Sequence, residues 1–261
     1  ALGACALCTN TTGDFNTAVG CSSLFANTTG VQNVAVGCGA LLCNTEGITN
    51  TTVGNRSLCG NTTGDDNTAL GYCALKANTT ASYNTAVGRS ALGANTTGAS
   101  NTAVGFNSLC ANTTGSANTA IGQAALDALT TGSNNTAVGS SAGTSITEGA
   151  NNLALGKSAL VFTTTGDHNI ALGEDSVRCN TTGDYNIGIG VNALQKNTGS
   201  SNVGIGRNAA ACNTTASGNI AVGDNAFCKN TTGTANTAIG VQALSWNTTT
   251  NCNTAVGYNA L

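Results

Sequence analysis

One glycine recurs along this chain with almost no variation in spacing. Gly3, Gly20, Gly37, Gly54 and Gly71 lie seventeen residues apart, and the series runs on to Gly257 with one interval of sixteen, between Gly190 and Gly206. The consensus unit is N-T-A-V-G-x-x-A-L-x-x-N-T-T-G-x-x. Self-similarity at a fixed short period specifies an array in which each unit buries its apolar surface against its neighbours. No composition shift interrupts the pattern, so residues 1–261 read as a single repeat array.

Seventeen residues are too few for a helical pair, and Gly, Asn and Thr are poor helix formers. Thr and Val favour extended backbone, while Asn and Gly supply corners. The unit therefore predicts one coil of an all-β parallel β-solenoid (a β-helix), with about fifteen coils in the chain. Two large apolar columns are the expected core. One is Val19, Val36, Val53, Leu70 and their successors to Val256; the other is Leu7, Leu24, Leu41 and onward to Leu261. Small residues such as Ala18 and Ser23 sit beside them.

Two asparagine columns carry different expectations. The first opens every unit: Asn16, Asn33, Asn50, Asn67, Asn84, Asn101, Asn118, Asn135, Asn152, Asn169, Asn186, Asn202, Asn219, Asn236 and Asn253. A plain turn would accept Asp or Gly somewhere in the series, so this column predicts an inward ladder of amides, each bonded to its copy in the next coil. The second column is interrupted by Leu129, Ile146 and Thr163. Of its twelve members, Asn10, Asn27, Asn61, Asn78, Asn95, Asn112, Asn180, Asn213, Asn230 and Asn247 are each followed by Thr-Thr, the N-glycosylation acceptor pattern, and Asn44 and Asn197 are not. They are expected to face outward and to carry glycans along one edge. An ungapped Thr column follows the second Asn, which raises ice binding as a minor alternative.

Twelve cysteines favour an oxidising, extracellular or cell-surface setting. Cys5 with Cys21, Cys43 with Cys59 and Cys212 with Cys228 share a separation of sixteen, which places each partner one coil up and one residue back, as staples between coils. Cys8, Cys38, Cys73, Cys110, Cys179 and Cys252 have no partner at that spacing. With one histidine, His168, in a Gly-Asp turn, no catalytic base, metal site or cofactor is expected. The aspartates of these turns, Asp14, Asp65, Asp167 and Asp184, suit Asx-turns. Charged residues make up 7% of the chain, without a basic patch for nucleic acid, and no apolar run is long enough to span a membrane. The chain has no Met and no leader, so it reads as a mature or internal segment, with repeat sequence at both ends in place of polar caps.

The unit resembles the N-T-A-x-G-x-x-A-L-x-x-N-T-T-G repeats of bacterial and phage tail-fibre-like and adhesin-like surface proteins. Asn236 to Leu244 followed by Asn247-Thr248-Thr249 shows the pattern well. The resemblance covers the whole chain and implies an extracellular fibre or stalk. The expected function is a structural subunit of a fibre or filament, its coils stacking with copies of itself head to tail or laterally. The alternative is an adhesin-like binding module that recognises a cell surface or glycan.

Overall fold

A computed structural model describes residues 1–261. The chain is all-β, with fifteen three-residue strands, one per repeat, and no helix. It forms two compact units, Ala1–Ser133 and Asn134–Leu261. The first unit holds β1 (Thr17–Val19), β2 (Val34–Val36), β3 (Thr51–Val53), β4 (Thr68–Leu70), β5 (Thr85–Val87), β6 (Thr102–Val104) and β7 (Thr119–Ile121). Each pairs in parallel with the next at the repeat offset, Ala18 beside Ala35 and Ala35 beside Thr52. The second unit holds β8 (Thr136–Val138), β9 (Leu153–Leu155), β10 (Ile170–Leu172), β11 (Ile187–Ile189), β12 (Val203–Ile205), β13 (Ile220–Val222), β14 (Thr237–Ile239) and β15 (Thr254–Val256), again parallel throughout. The fold is a parallel β-solenoid.

The one short interval leaves strand register intact. Ile187 still pairs with Val203, because the missing residue comes from the corner, where Thr198-Gly199 stands in place of Thr-Thr-Gly.

The glycine that sets the period is held by two separate constraints. At Gly54 φ is +141°, a region closed to other residues, and a Cβ there would lie 2.4 Å from the carbonyl oxygen of Gly71 in the next coil. The same clash repeats along the column, at 2.5 Å between Gly88 and Gly105. Coils can stack at strand spacing only where this atom is missing.

The core differs from the sequence expectation in one column. Leu24, Leu41, Leu58, Leu75, Leu92 and Leu109 are fully buried, as expected, but at the ends of the column Leu7 is half-buried and Leu261 exposed, each having a neighbouring coil on one side only. The Val column is not core: Val19 is 36% exposed, Val53 43% and Ile121 40%. A three-residue strand has one inward position, and period-two alternation assigns it to the middle residue. Ala18, Ala35, Ala86 and Ala103 therefore point inward, and the residues on either side point out. The inward residue must be small because leucine fills the space opposite. At Gly204, which takes this place in β12, a Cβ would come within 2.9 Å of Leu194 Cγ.

Those leucines adopt an uncommon backbone. Leu24, Leu41, Leu58 and Leu92 have φ near +50°, and Val177 has +48° in the same column. Left-handed backbone costs a side-chain-bearing residue roughly 1–2 kcal/mol. Burial of a leucine contributes about 1.5–3 kcal/mol, and its N–H is satisfied across the stack, as in Leu41 N–H to Ser57 O at 3.0 Å.

Leu92→Ala should therefore lower stability by about 2–5 kcal/mol. Val87→Ala, five residues earlier and on the outer surface, should cost well under half of that. Thermal unfolding of the two variants reads the difference, and equal losses would contradict the inward assignment of the alanine column.

Candidate functional site

Both asparagine columns turn inward. Thirteen of the first column, Asn33 through Asn236, are buried, while Asn16 and Asn253 are half-buried. Each side chain does two things. Its Oδ1 accepts the backbone N–H of its copy in the next coil, as in Asn67 N–H to Asn50 Oδ1 at 3.0 Å. Its Nδ2 donates to a carbonyl fourteen residues on, as in Asn50 Nδ2 to Gly64 O at 2.9 Å, which closes the coil. Direct amide-to-amide bonds are secondary here, at 3.2 Å for Asn50 to Asn33.

The second column is the stronger amide ladder, which overturns the expectation that it faces outward. Asn27, Asn61, Asn78, Asn95, Asn112, Asn180, Asn213 and Asn230 are fully buried, and only Asn10 and Asn247 are half-exposed. Asn61 Nδ2 donates to Asn44 Oδ1 at 2.8 Å, Asn78 to Asn61 at 2.9 Å and Asn95 to Asn78 at 2.9 Å. The same nitrogen donates to the carbonyl three residues on, as in Asn61 to Gly64 O at 2.9 Å. That carbonyl already accepts from Asn50, so the two columns meet on one atom. An N-glycan attaches through Nδ2, and in the eight buried members this atom lies in the interior, bonded to the carbonyl three residues on; at Asn247 it is exposed. At the eight buried positions the residues of the acceptor pattern serve the ladder and the Thr bond beside it.

Where the column loses asparagine, the ladder ends on orphaned atoms. Asn112 Oδ1, facing the coil of Leu129, is buried without a hydrogen-bond partner, and so is the Oγ1 of Thr163. Buried polar groups left unmatched cost about 1–3 kcal/mol.

The ungapped Thr column is also engaged internally. Thr28 Oγ1 donates to Thr45 O at 3.0 Å, and Thr62 and Thr96 repeat the bond at 3.1 and 3.0 Å. The adjacent Thr, such as Thr29, Thr63 or Thr97, is the exposed member of each pair.

Asp65, Asp167 and Asp184 accept hydrogen bonds across coils, in place of the local Asx-turns expected of them. Asp65 Oδ1 takes the N–H of Ile48 at 2.8 Å, and Asp167 Oδ1 takes that of Ala150 at 2.6 Å. His168 is exposed and stacks on Tyr185, with ring centroids 4.9 Å apart. No three His, Cys, Asp or Glu side chains are grouped to hold a metal. Aromatic rings and cations stack along the outside. The Arg89 guanidinium lies 5.9 Å from the Tyr72 ring and 5.6 Å from that of Phe106, and Lys229 Nζ stands 3.0 Å from the Trp246 ring centre. The surface grooves are open, one lined by Asn225, Lys229, Gln242 and Trp246 and another by Cys38, Arg56, Cys59 and Lys76.

All twelve cysteines are free thiols, so the expected staples of Cys5 to Cys21, Cys43 to Cys59 and Cys212 to Cys228 are not formed. The sixteen-residue spacing does bring neighbouring backbones together: Cys43 N–H donates to Cys59 O at 3.0 Å and Cys212 N–H to Cys228 O at 3.2 Å. At Cys5 the closer relation is local. Cys5-Ala6-Leu7-Cys8 is a C-x-x-C element missed by pairing on period alone, and hydrogen bonding with Cys8 raises the Cys5 thiol. Burial pushes the thiols of Cys59, Cys110 and Cys228 up.

No protein-family model matches the chain, and no significant match is found among curated proteins or solved structures.

Two tests follow from the ladder and its surroundings. Asn78→Asp removes donors to Asn61 and to Ala81 O and sets oxygen against oxygen in the interior, so it should destabilise by about 2–4 kcal/mol. Thr163→Asn supplies an acceptor to Asn180 and should instead raise the melting temperature; a drop would show that the ladder cannot be extended there. The fully buried polar residues are all Asn, Ser or Thr, so stability should change little with pH across the neutral range. Thiols raised by burial stay protonated longer in the folded chain than in the unfolded one. Their contribution is therefore complete below the ordinary thiol range, and stability should fall as pH rises above about 9. Asp224, held below the usual carboxylate range by its hydrogen bond from Arg207, acts in the opposite, acidic window, but it is solvent-exposed and screened. Melting temperatures measured across pH check both signs.

Proposed function

We propose that this chain is a structural shaft, a subunit of an extracellular or cell-surface fibre whose coils associate with other copies, and that it is not an enzyme. One observation carries the reading: the coil interiors are closed by apolar side chains, small inward residues and asparagine ladders, the second of them broken over three coils, which leaves the molecule's order devoted to stacking. Support also comes from what lies outside. The grooves are open, and the charged side chains bond backbone across coils, stack on rings or form exposed ion pairs. The resemblance to tail-fibre-like and adhesin-like repeats points the same way.

An adhesin-like binding module is the second reading. It is favoured by the open groove where exposed Trp246 meets the amides of Asn225 and Gln242. Electron microscopy of the native material separates the two. Continuous filaments are expected, whereas discrete monodisperse particles would favour the binding module.

A further inference from the structure

The outward residues of the strands form an internal comparison within one chain. At the first strand position Thr stands in β1, β3, β4, β5, β6, β7, β8, β14 and β15, so the fold accepts Thr there freely. In five consecutive strands, β9 to β13, it is replaced by Leu153, Ile170, Ile187, Val203 and Ile220. The third position of the same strands carries Leu155, Leu172, Ile189, Ile205 and Val222. All ten side chains are half-buried or exposed, with Ile220 at 41% and Ile205 at 37%. Thr-bearing strands bound the strip on both sides, β8 before it and β14 after it. Across the fifteen strands no outward position is charged, and every Lys and Arg falls within the six residues after the repeat glycine.

We propose that the aliphatic strip on β9 to β13 is a lateral docking face for the same strip of a second copy of this chain. This inference rests on the structural-shaft reading and names the surface it would use. Five adjacent coils have replaced a polar, well-tolerated Thr with a large aliphatic residue that points outward. Contiguous exposed apolar surface of this kind marks an association site. The geometry favours a copy over an unrelated partner. The strip presents rows of branched side chains at the strand spacing of about 4.8 Å, and a second copy brings rows of the same spacing that interdigitate along its whole length. The strip itself carries no charge; the ion pairs Lys157–Glu174 and Arg207–Asp224 flank it two residues beyond its third position and stay at the rim of the contact. Five strands span only about 20–25 Å, less than a standard interface of about 800 Å² per partner requires. A single pair therefore binds weakly, and association depends on concentration.

Sedimentation velocity on the full chain over a concentration series tests the proposal, with two variants. Ile170→Thr/Ile187→Thr/Val203→Thr restores the residue found in the flanking strands, and Ile187→Lys/Ile189→Lys places charge at the centre. Circular dichroism and melting verify that each variant is folded, and the Thr variant keeps the test valid if the Lys variant is not. The wild type should form dimers as concentration rises, and either folded variant should need at least about tenfold more protein to do so. A wild type that stays monomeric throughout, or variants that associate equally well, would overturn the proposal. So would a monomer that shapes growing ice, which would make the face a lattice-binding surface. Filaments one solenoid wide with no pairing, seen by microscopy, would overturn the docking face and leave the fibre reading standing.

Discussion

The asparagine side chain can bond to a copy of itself one coil away, because it carries a donor and an acceptor on one flat group. Everything else in this solenoid depends on that. Stacking coils at strand spacing buries the polar corner backbone of each repeat, and a buried carbonyl without a donor is costly. Here the Gly64 carbonyl takes one hydrogen from Asn50 and one from Asn61, so two side chains from opposite ends of the repeat converge on the atom that most needs them. The leucine column then fills the remaining interior, at the cost of a left-handed backbone in each coil.

This arrangement explains why so little of the chain looks like a site. An interior made of amides and aliphatic groups has no room for a titratable side chain. The few charged residues lie on the surface, where they bond backbone across coils, stack on rings or form exposed ion pairs such as Arg207 with Asp224. Inward positions vary only among aliphatic, small or uncharged polar residues, with Phe227 the one buried ring, while charge and most aromatic rings are confined to positions that point outward. Function in such a molecule belongs to its surfaces, and the uneven distribution of Thr and aliphatic residues along the strands is where one repeat differs most meaningfully from another.

The sequence by itself determined the period, the all-β class, the parallel register and the inward leucine column. These follow from spacing and from the backbone preferences of Gly, Asn and Thr, which need no knowledge of neighbours. It also marked the first asparagine column as inward, because no substitute ever appears there. Tertiary structure decided the rest. The strand reads Thr-Ala-Val, and hydrophobicity alone points Val inward; the leucine packed opposite leaves space only for a small residue, so the phase is reversed. The second asparagine column carries an acceptor pattern that an exposed glycan site and a buried ladder share equally. Only the position of the carbonyl three residues on, one hydrogen bond away in the folded coil, sends it inside. A repeat unit states what each residue prefers, but which face it turns to is settled by what the adjacent coil already occupies.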